Sequence, residues 1–192
     1  MTWEIKGKTL EYFDDSHTYL YDGIILPSIT QLLKRHNPDK YKDVPSFILN
    51  RAAAAGTAVH SAIEKFEKEG IVSDLPEFYG YLYLKDRDNF TVKESEKPIV
   101  LFRGKKAVAA GRFDMLTSES GKIGLEDIKR TAKLDIESVT LQLNLYRIGL
   151  RQSYGINAEY LKVIHLRNGE RQRLPLEINE LATKKLIKEL CK

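Results

Sequence analysis

The most constraining feature of this sequence is a short turn, Ser120-Gly121, between two runs rich in strand-forming residues. A two-residue turn of this kind joins antiparallel strands and fixes how they pair. The predicted pairing places Asp114 directly opposite Asp127. Opposed residues share one face of a sheet and lie about 4.5–5.5 Å apart. Two ionised carboxylates at that distance repel each other unless a cation lies between them.

Lys129 adds a positive charge to this pair of acids. Because side chains alternate along a strand, Asp127 and Lys129 share a face and Ile128 points the other way. Carboxylate oxygens suit Mg²⁺ or Mn²⁺, and a lysine beside them can hold or deprotonate a metal-bound water. The alternative is an ordinary solvated hairpin face with an Asp–Lys pair, and the spacing alone does not decide between the two.

The order of predicted elements indicates an α/β fold. Apolar residues recur at helical spacing in some segments and in short runs typical of strands in others. The order of helix, three strands, helix and strand predicts a central mixed β-sheet flanked by helices. The predicted segments are a helix over residues 45–70 with a break at Gly56, a helix and loops over 71–96, strands over 98–102, 107–117, 123–128 and 158–166, and helices over 135–153 and 177–190.

The N-terminal region is predicted to form a small β-hairpin and a short helix. Strand-like runs and turn residues alternate between residues 9 and 26. Ser28 and Gln31 stand at capping-box spacing at the start of a helix over residues 29–36, which Asn37-Pro38 closes. The expected organisation is a single domain over residues 1–192, with this region at 1–45 and the core at 46–192.

Composition narrows the functional classes. The 31 Lys and Arg residues and the 27 Asp and Glu residues give a net charge of +4, which is only weak support for a phosphate-rich partner. The single cysteine, Cys191, excludes an internal disulfide, a CxxC zinc site and an iron–sulfur cluster built from this chain. Apolar runs fall short of the roughly 18 residues of a membrane helix. We therefore expect a cytoplasmic protein with no membrane partner.

Two helical pairs add polar groups near the predicted acids. His60 and Glu64 are four residues apart on one helix, and so are Gln142 and Tyr146 on another, so each pair shares a helix face. Taken alone, each pair is as well explained by packing or by solvent exposure. Their relevance depends on whether the fold brings them to the two aspartates.

Four blocks of sequence follow one another along the chain: residues 56–60 with Glu64, 111–114, 127–131 and 142–146. Together they resemble the PD-(D/E)xK nuclease superfamily, whose PD pair is Phe113-Asp114 here. The nearest branch is the RecB-type exonucleases, which include small phage exonucleases. The segment from His17 to Thr30 is similar to the leader of the phage members.

The resemblance implies a fold and a set of site residues. The implied fold is a restriction-endonuclease-like core with the order α-β-β-β-α-β. Gln142 and Tyr146 would lie beside the active site and the nucleic-acid strand, and Glu64 would support the site. The implied metal ligands are His60, Asp114, Asp127 and the carbonyl of Ile128, and Lys129 is the implied catalytic lysine. Arg112 and Arg130 lie near these blocks and are candidates for phosphate contacts, with a solvated face as the alternative.

The implied activity is a metal-dependent exodeoxyribonuclease. Water activated by one or two Mg²⁺ or Mn²⁺ ions would attack the phosphorus in line. The expected partner is single- or double-stranded DNA with free ends, in recombination, repair or phage DNA processing, with a recombination or single-strand-binding protein as a further partner. The alternatives are a non-catalytic nucleic-acid-binding or regulatory protein that retains the fold, an endonuclease, and an RNA-acting nuclease.

Overall fold

The computed structural model describes residues 1–36, 43–167 and 169–190. Over these residues the protein is a mixed α/β fold with two sheets and five helices. The predicted helix stop at Asn37-Pro38 and the lone Cys191 lie outside them. None of the helices in this part of the chain combines the length and the apolar character needed to cross a membrane.

The elements follow one another with short connections. The N-terminal strands are β1 (Thr2–Ile5), β2 (Lys8–Phe13), β3 (Thr18–Tyr21) and β4 (Ile24–Leu26). Three helices follow, α1 (Ile29–His36), α2 (Ser46–Glu69) and α3 (Pro76–Asp88). The remaining elements are β5 (Thr91–Arg103), β6 (Lys106–Glu119), β7 (Lys122–Lys129), α4 (Ile136–Tyr154), β8 (Tyr160–Arg167), β9 (Glu170–Leu176) and α5 (Glu180–Leu190).

The larger sheet has the strand order β5-β6-β7-β8-β9. Adjacent strands in this sheet run antiparallel, except for β7 and β8. These two strands run parallel and are connected through α4. Ser120 and Gly121 both have positive φ, 51° and 80°, as the tight turn between β6 and β7 requires. The last regular pair of this hairpin is Met115 with Glu126. This is the predicted register, with Asp114 and Asp127 as the next two residues.

Helices cover both faces of the larger sheet. Residues of α1, α4 and α5 form a core with one face, and residues of α2 and α3 form a second core with the other. Gly149 lets α4 approach the sheet closely, since a Cβ there would lie 2.5 Å from Cδ1 of Ile99. The site described below is therefore supported by packed helices on both sides.

The N-terminal strands form a separate antiparallel sheet, β1-β2-β3-β4, rather than an isolated hairpin. Three tyrosines, Tyr12, Tyr19 and Tyr21, pack in one cluster with Val100 of β5 and Ala110 of β6. The amide of Ala110 also donates to the carbonyl of Pro27 at 3.1 Å. The small sheet is thereby attached to the edge of the larger one.

Several predictions of local structure are confirmed. The helix over residues 29–36 is α1, and its capping box is formed, because the amide of Ser28 donates to Gln31 Oε1 at 2.8 Å and the amide of Gln31 donates to Ser28 Oγ at 3.0 Å. Gly70, with φ 73°, ends α2 as expected. The predicted helix over residues 135–153 is α4, and Asp135 caps it by accepting from the amide of Ser138 at 3.0 Å.

Other predictions are wrong. Gly56 does not break α2, which is continuous. Residues 71–96 contain the start of β5 at Thr91, and strands β1 and β9 were not expected. The sequence of β9 is rich in charged residues and does not resemble a strand. Its Arg173 is nevertheless 8% exposed, and the Nε atom donates to Oε2 of Glu126 on β7 at 2.8 Å. Tertiary pairing of a buried charge thus outweighs local propensity.

Candidate metal centre

Asp114 lies on β6, an interior strand of the larger sheet, at the point where β6 and β7 leave their regular pairing. Its Oδ2 atom accepts a hydrogen bond from the amide of Ile128 at 2.7 Å. Asp114 is therefore attached to β7 beside Asp127, as the hairpin register predicted. Because β6 has neighbours on both sides, its Asp114 can be reached by side chains from β5 as well as from β7.

Asp127 is the most deeply buried acid of the site. It is 1% exposed, and its Oδ2 atom forms an ion pair with Nζ of Lys129 at 2.7 Å. Burial, together with the charge of Asp114, raises the pKa of Asp127 to about 6, and Lys129 and His60 act in the opposite direction. The protein thus holds a carboxylate where the charged form is unfavourable without a further cation.

Lys129 connects the strand to α4. Its Nζ donates to Oε1 of Gln142 at 3.2 Å. Tyr146, one turn further along α4, is buried, and that burial raises the pKa of its phenol well above the usual value. Its ring packs over Gly111, where a Cβ would lie 2.9 Å from Cε1 of the ring. The predicted stripe of Gln142 and Tyr146 therefore faces the strands that carry the acids.

His60 reaches the same place from α2. Val59 and Ile63 beside it are buried in the core under the sheet, which holds this part of the helix in position. The Nε2 atom donates to the carbonyl oxygen of Ile128 at 2.9 Å, since a carbonyl can only accept. The Nδ1 atom lies 3.4 Å from Oδ2 of Asp114. His60 is thus brought to Asp114 and to the predicted carbonyl ligand.

Glu96 of β5 joins this group, although the sequence analysis did not name it. Carboxylate oxygens of Glu96 and Asp114 and a ring nitrogen of His60 all lie within 4.8 Å of one another. Burial, reinforced by the charge of Asp114, raises the pKa of Glu96 to about 7. Its backbone has φ 51°, uncommon for a residue other than glycine. The pairs on either side are Ser95 with Met115 and Lys97 with Phe113.

Glu96 escaped prediction because it lies outside the predicted strand over residues 98–102, and a register without the β-bulge would have placed it on the wrong face even in a longer strand. The turn at Gly104-Lys105 sets a register that, continued without a break, puts Glu96 opposite Phe113. The structure has an irregularity at Leu101-Phe102 that shifts the pairing by one residue. A shift of one residue reverses the face of every later side chain. Glu96 therefore comes beside Asp114, and no residue pattern in β5 marks the shift.

The donor set fits a divalent cation. His60, Glu96 and Asp114 offer one imidazole nitrogen and carboxylate oxygens, a combination that suits Mn²⁺ and Mg²⁺. A cavity of about 10 Å³ lies among these three residues, close to the space one water molecule needs. The elevated pKa values of Asp127 and Glu96 have the same cause, negative charge held out of water, which a bound cation would relieve.

Three predicted residues make other contacts. Arg112 lies at the edge of the site, with Nε 3.5 Å from Oε2 of Glu96. Arg130 is directed away, toward Glu77 of α3, with Nε 2.7 Å from Oε1. Glu64 lines the small cavity, but its carboxylate pairs with Lys68 at 2.5 Å. The structure thus brings His60 to Asp114 and Lys129 to Asp127, but Asp127 is not in the group within 4.8 Å, and Arg130 and Glu64 have ion-pair partners of their own.

Comparison with known proteins bears on the fold alone. No family model and no curated protein matches this sequence. Among solved structures, the fold is similar to that of SSO0001, with a TM-score of 0.50 and 17% sequence identity. The similarity covers 86% of this chain and 74% of the other. The arrangement of sheets and helices is therefore shared with a solved protein.

Proposed function

We propose that this protein is a divalent-metal-dependent nuclease that hydrolyses DNA phosphodiester bonds from free ends. The observation that carries the proposal is the meeting of the Asp127–Lys129 ion pair with the His60–Asp114 contact. The proposed core is restriction-endonuclease-like and consists of α2, β5, β6, β7, α4 and β8. The order of these elements and the parallel pairing of β7 with β8 support it.

Each side chain has a definable task in this reaction. His60, Asp114 and Asp127 would hold the cation, together with Glu96 and the carbonyl of Ile128. When bound, the cation supplies an activated water and stabilises charge on the attacking and leaving oxygens.

Lys129 would orient the attacking water by donating a hydrogen bond to it, the water's proton would leave to solvent, and the ammonium charge would offset that of the phosphate in the transition state. Gln142 keeps the ammonium in place through its 3.2 Å contact. Tyr146, packed against Gly111 of β6, fixes the position of α4 relative to the strand that carries Asp114.

Digestion of end-labelled linear DNA tests this function. Single- and double-stranded substrates, closed circular DNA and RNA would be incubated with the protein in Mg²⁺, in Mn²⁺ and in EDTA. The variant Asp127→Ala removes an acid of the site. A matched control is Glu119→Ala, which removes an acid from β6 that pairs with Lys162 and Arg173 instead.

We expect metal-dependent loss of linear DNA with wild type and with Glu119→Ala, and none with Asp127→Ala. Cleavage of circular DNA or of RNA would point to the endonuclease or the RNA-acting alternative. A folded wild-type protein that binds DNA but cleaves nothing in either metal would contradict the proposal and favour a non-catalytic binding protein.

A further inference from the structure

A groove leads from the surface to the candidate metal centre. It has a volume of about 890 Å³ and lies between β1 of the small sheet, α2 and β5. Its lining includes Trp3, Lys97, Arg112 and Tyr154, and at its inner end it includes His60 and Glu96. The small sheet is thus one wall of the approach to the site.

Aromatic rings and cations are combined along this groove. Trp3 is half-buried, packing with one part of its side chain against the cluster that joins the two sheets. The ammonium of Lys97 lies 4.3 Å from the centre of the Tyr154 ring. The guanidinium of Arg112 lies 4.7 Å from the centre of the Tyr12 ring. Such pairs of flat apolar surface and positive charge suit bases and phosphates respectively.

Three of the carboxylates that line the groove have cationic partners. Glu94 pairs with Lys97 at 2.6 Å, Glu64 pairs with Lys68 at 2.5 Å, and Nε of Arg112 lies 3.5 Å from Oε2 of Glu96. Glu4 also lines the groove. Positive and negative side chains therefore nearly balance there, and phosphates would share Lys97 and Arg112 with these carboxylates.

We infer that this groove binds an unpaired DNA strand, with one base stacked on Trp3 and the strand's phosphates directed toward Lys97 and Arg112. The inference rests on the proposed function and names the form of its substrate. Bases stack on protein rings only when they are not stacked in a duplex. The volume is in the range of about 300–1,000 Å³ found for small-molecule sites, which accommodates a few nucleotides of one strand rather than a double helix.

The composition supplies a direct probe, because Trp3 is the only tryptophan of the chain. Its fluorescence would be recorded in EDTA, where no cleavage occurs, while a single-stranded oligonucleotide is added. A blunt duplex of the same sequence serves as the second substrate. We expect saturable quenching by the single strand and little change with the duplex.

Variants distinguish stacking of a base on Trp3 from non-specific electrostatic attraction between the protein and the DNA strand. Binding of a labelled single strand, followed by fluorescence anisotropy, should weaken about tenfold in Trp3→Ala and recover in Trp3→Phe. Tyr83→Ala is the matched control, since Tyr83 is also exposed and lies beside a cation, Arg171, but does not line the groove. Its affinity should equal that of wild type.

The outcomes distinguish this inference from the proposed function. Unchanged Trp3 fluorescence, or equal quenching by duplex, overturns the inference even if linear DNA is degraded in Mg²⁺. Quenching by the single strand in a protein that cleaves no DNA supports the groove and contradicts the nuclease. The wild-type titration decides the point even if Trp3→Ala does not fold.

Discussion

Nε2 of His60 lies 2.9 Å from the carbonyl oxygen of Ile128, and this contact ties helix α2 to strand β7. Because the carbonyl accepts, the Nε2 atom carries the hydrogen, and in the neutral ring Nδ1 keeps its lone pair 3.4 Å from Oδ2 of Asp114. A lone pair and a carboxylate oxygen facing each other form a natural pair of cation ligands. The second lone pair of the Ile128 carbonyl is available to the same cation.

Lys129→Ala should abolish cleavage without unfolding the protein. The substitution removes the ammonium from Asp127 and Gln142, and loss of one such group typically lowers the catalytic rate by a factor of about 10² to 10³. The measurement is the initial rate of release of labelled nucleotides in Mg²⁺. Lys162→Ala, which removes a lysine from a similar ion pair with Glu119, should retain wild-type activity. An active Lys129→Ala would exclude the proposed role of this lysine.

Glu96→Gln should weaken metal binding as well as activity. The amide loses the charge that we assign to a ligand, and we expect the Mn²⁺ affinity to fall by about tenfold or more. Titration calorimetry with Mn²⁺ in the absence of DNA measures this directly. The control is Glu94→Gln, on the same strand, whose carboxylate pairs with Lys97. Equal Mn²⁺ affinities of the two variants would remove Glu96 from the ligand set.

The buried charge of Asp127 predicts a dependence of stability on pH in metal-free protein. Its pKa rises from 3.8 to about 6 on folding, so the folded state binds the proton more tightly and stability falls as pH rises through this window. Above pH 6 the ionised carboxylate of Asp127 lowers the free energy of unfolding by about 2–3 kcal/mol. In EDTA, Asp127→Asn should therefore be more stable than wild type at pH 8 by about this amount.

Urea unfolding at pH 4 and pH 8 checks the prediction. At pH 4 the difference between Asp127→Asn and wild type should nearly vanish, because the aspartate is protonated in the folded state. Saturating Mn²⁺ should stabilise wild type and reverse the order at pH 8. A variant less stable than wild type in EDTA at pH 8 would contradict the assignment of burial as the cause.

Two helical glycines should respond in opposite directions to alanine. Gly56 lies inside α2 with nothing within 4 Å of an added Cβ, so Gly56→Ala should stabilise the protein by about 0.5–1 kcal/mol. At Gly149 the Cβ would meet Ile99 at 2.5 Å, so Gly149→Ala should destabilise it by about 1–3 kcal/mol. Thermal unfolding of the two variants measures both changes. Destabilisation by Gly56→Ala would mean that the helix is not continuous there.

Features that depend on near neighbours along the chain could be predicted from the sequence alone. The turn at Ser120-Gly121 sets the pairing of β6 with β7, which brings Asp114 beside Asp127, and strand alternation places Lys129 on the same side as Asp127. The capping box at Ser28 is equally local. These outcomes follow from fixed backbone geometry over a few residues.

Which distant residues complete the site depends on tertiary packing. His60 reaches Asp114 because α2 packs under the sheet, and Glu96 does so because one extra residue in β6, Val108, shifts the register of the β5–β6 pair. Trp3 lines the groove because the small sheet is attached to the edge of the larger one. Packing contacts and a one-residue irregularity leave no periodic trace in the sequence, since they depend on partners that are close in space but far apart in the chain.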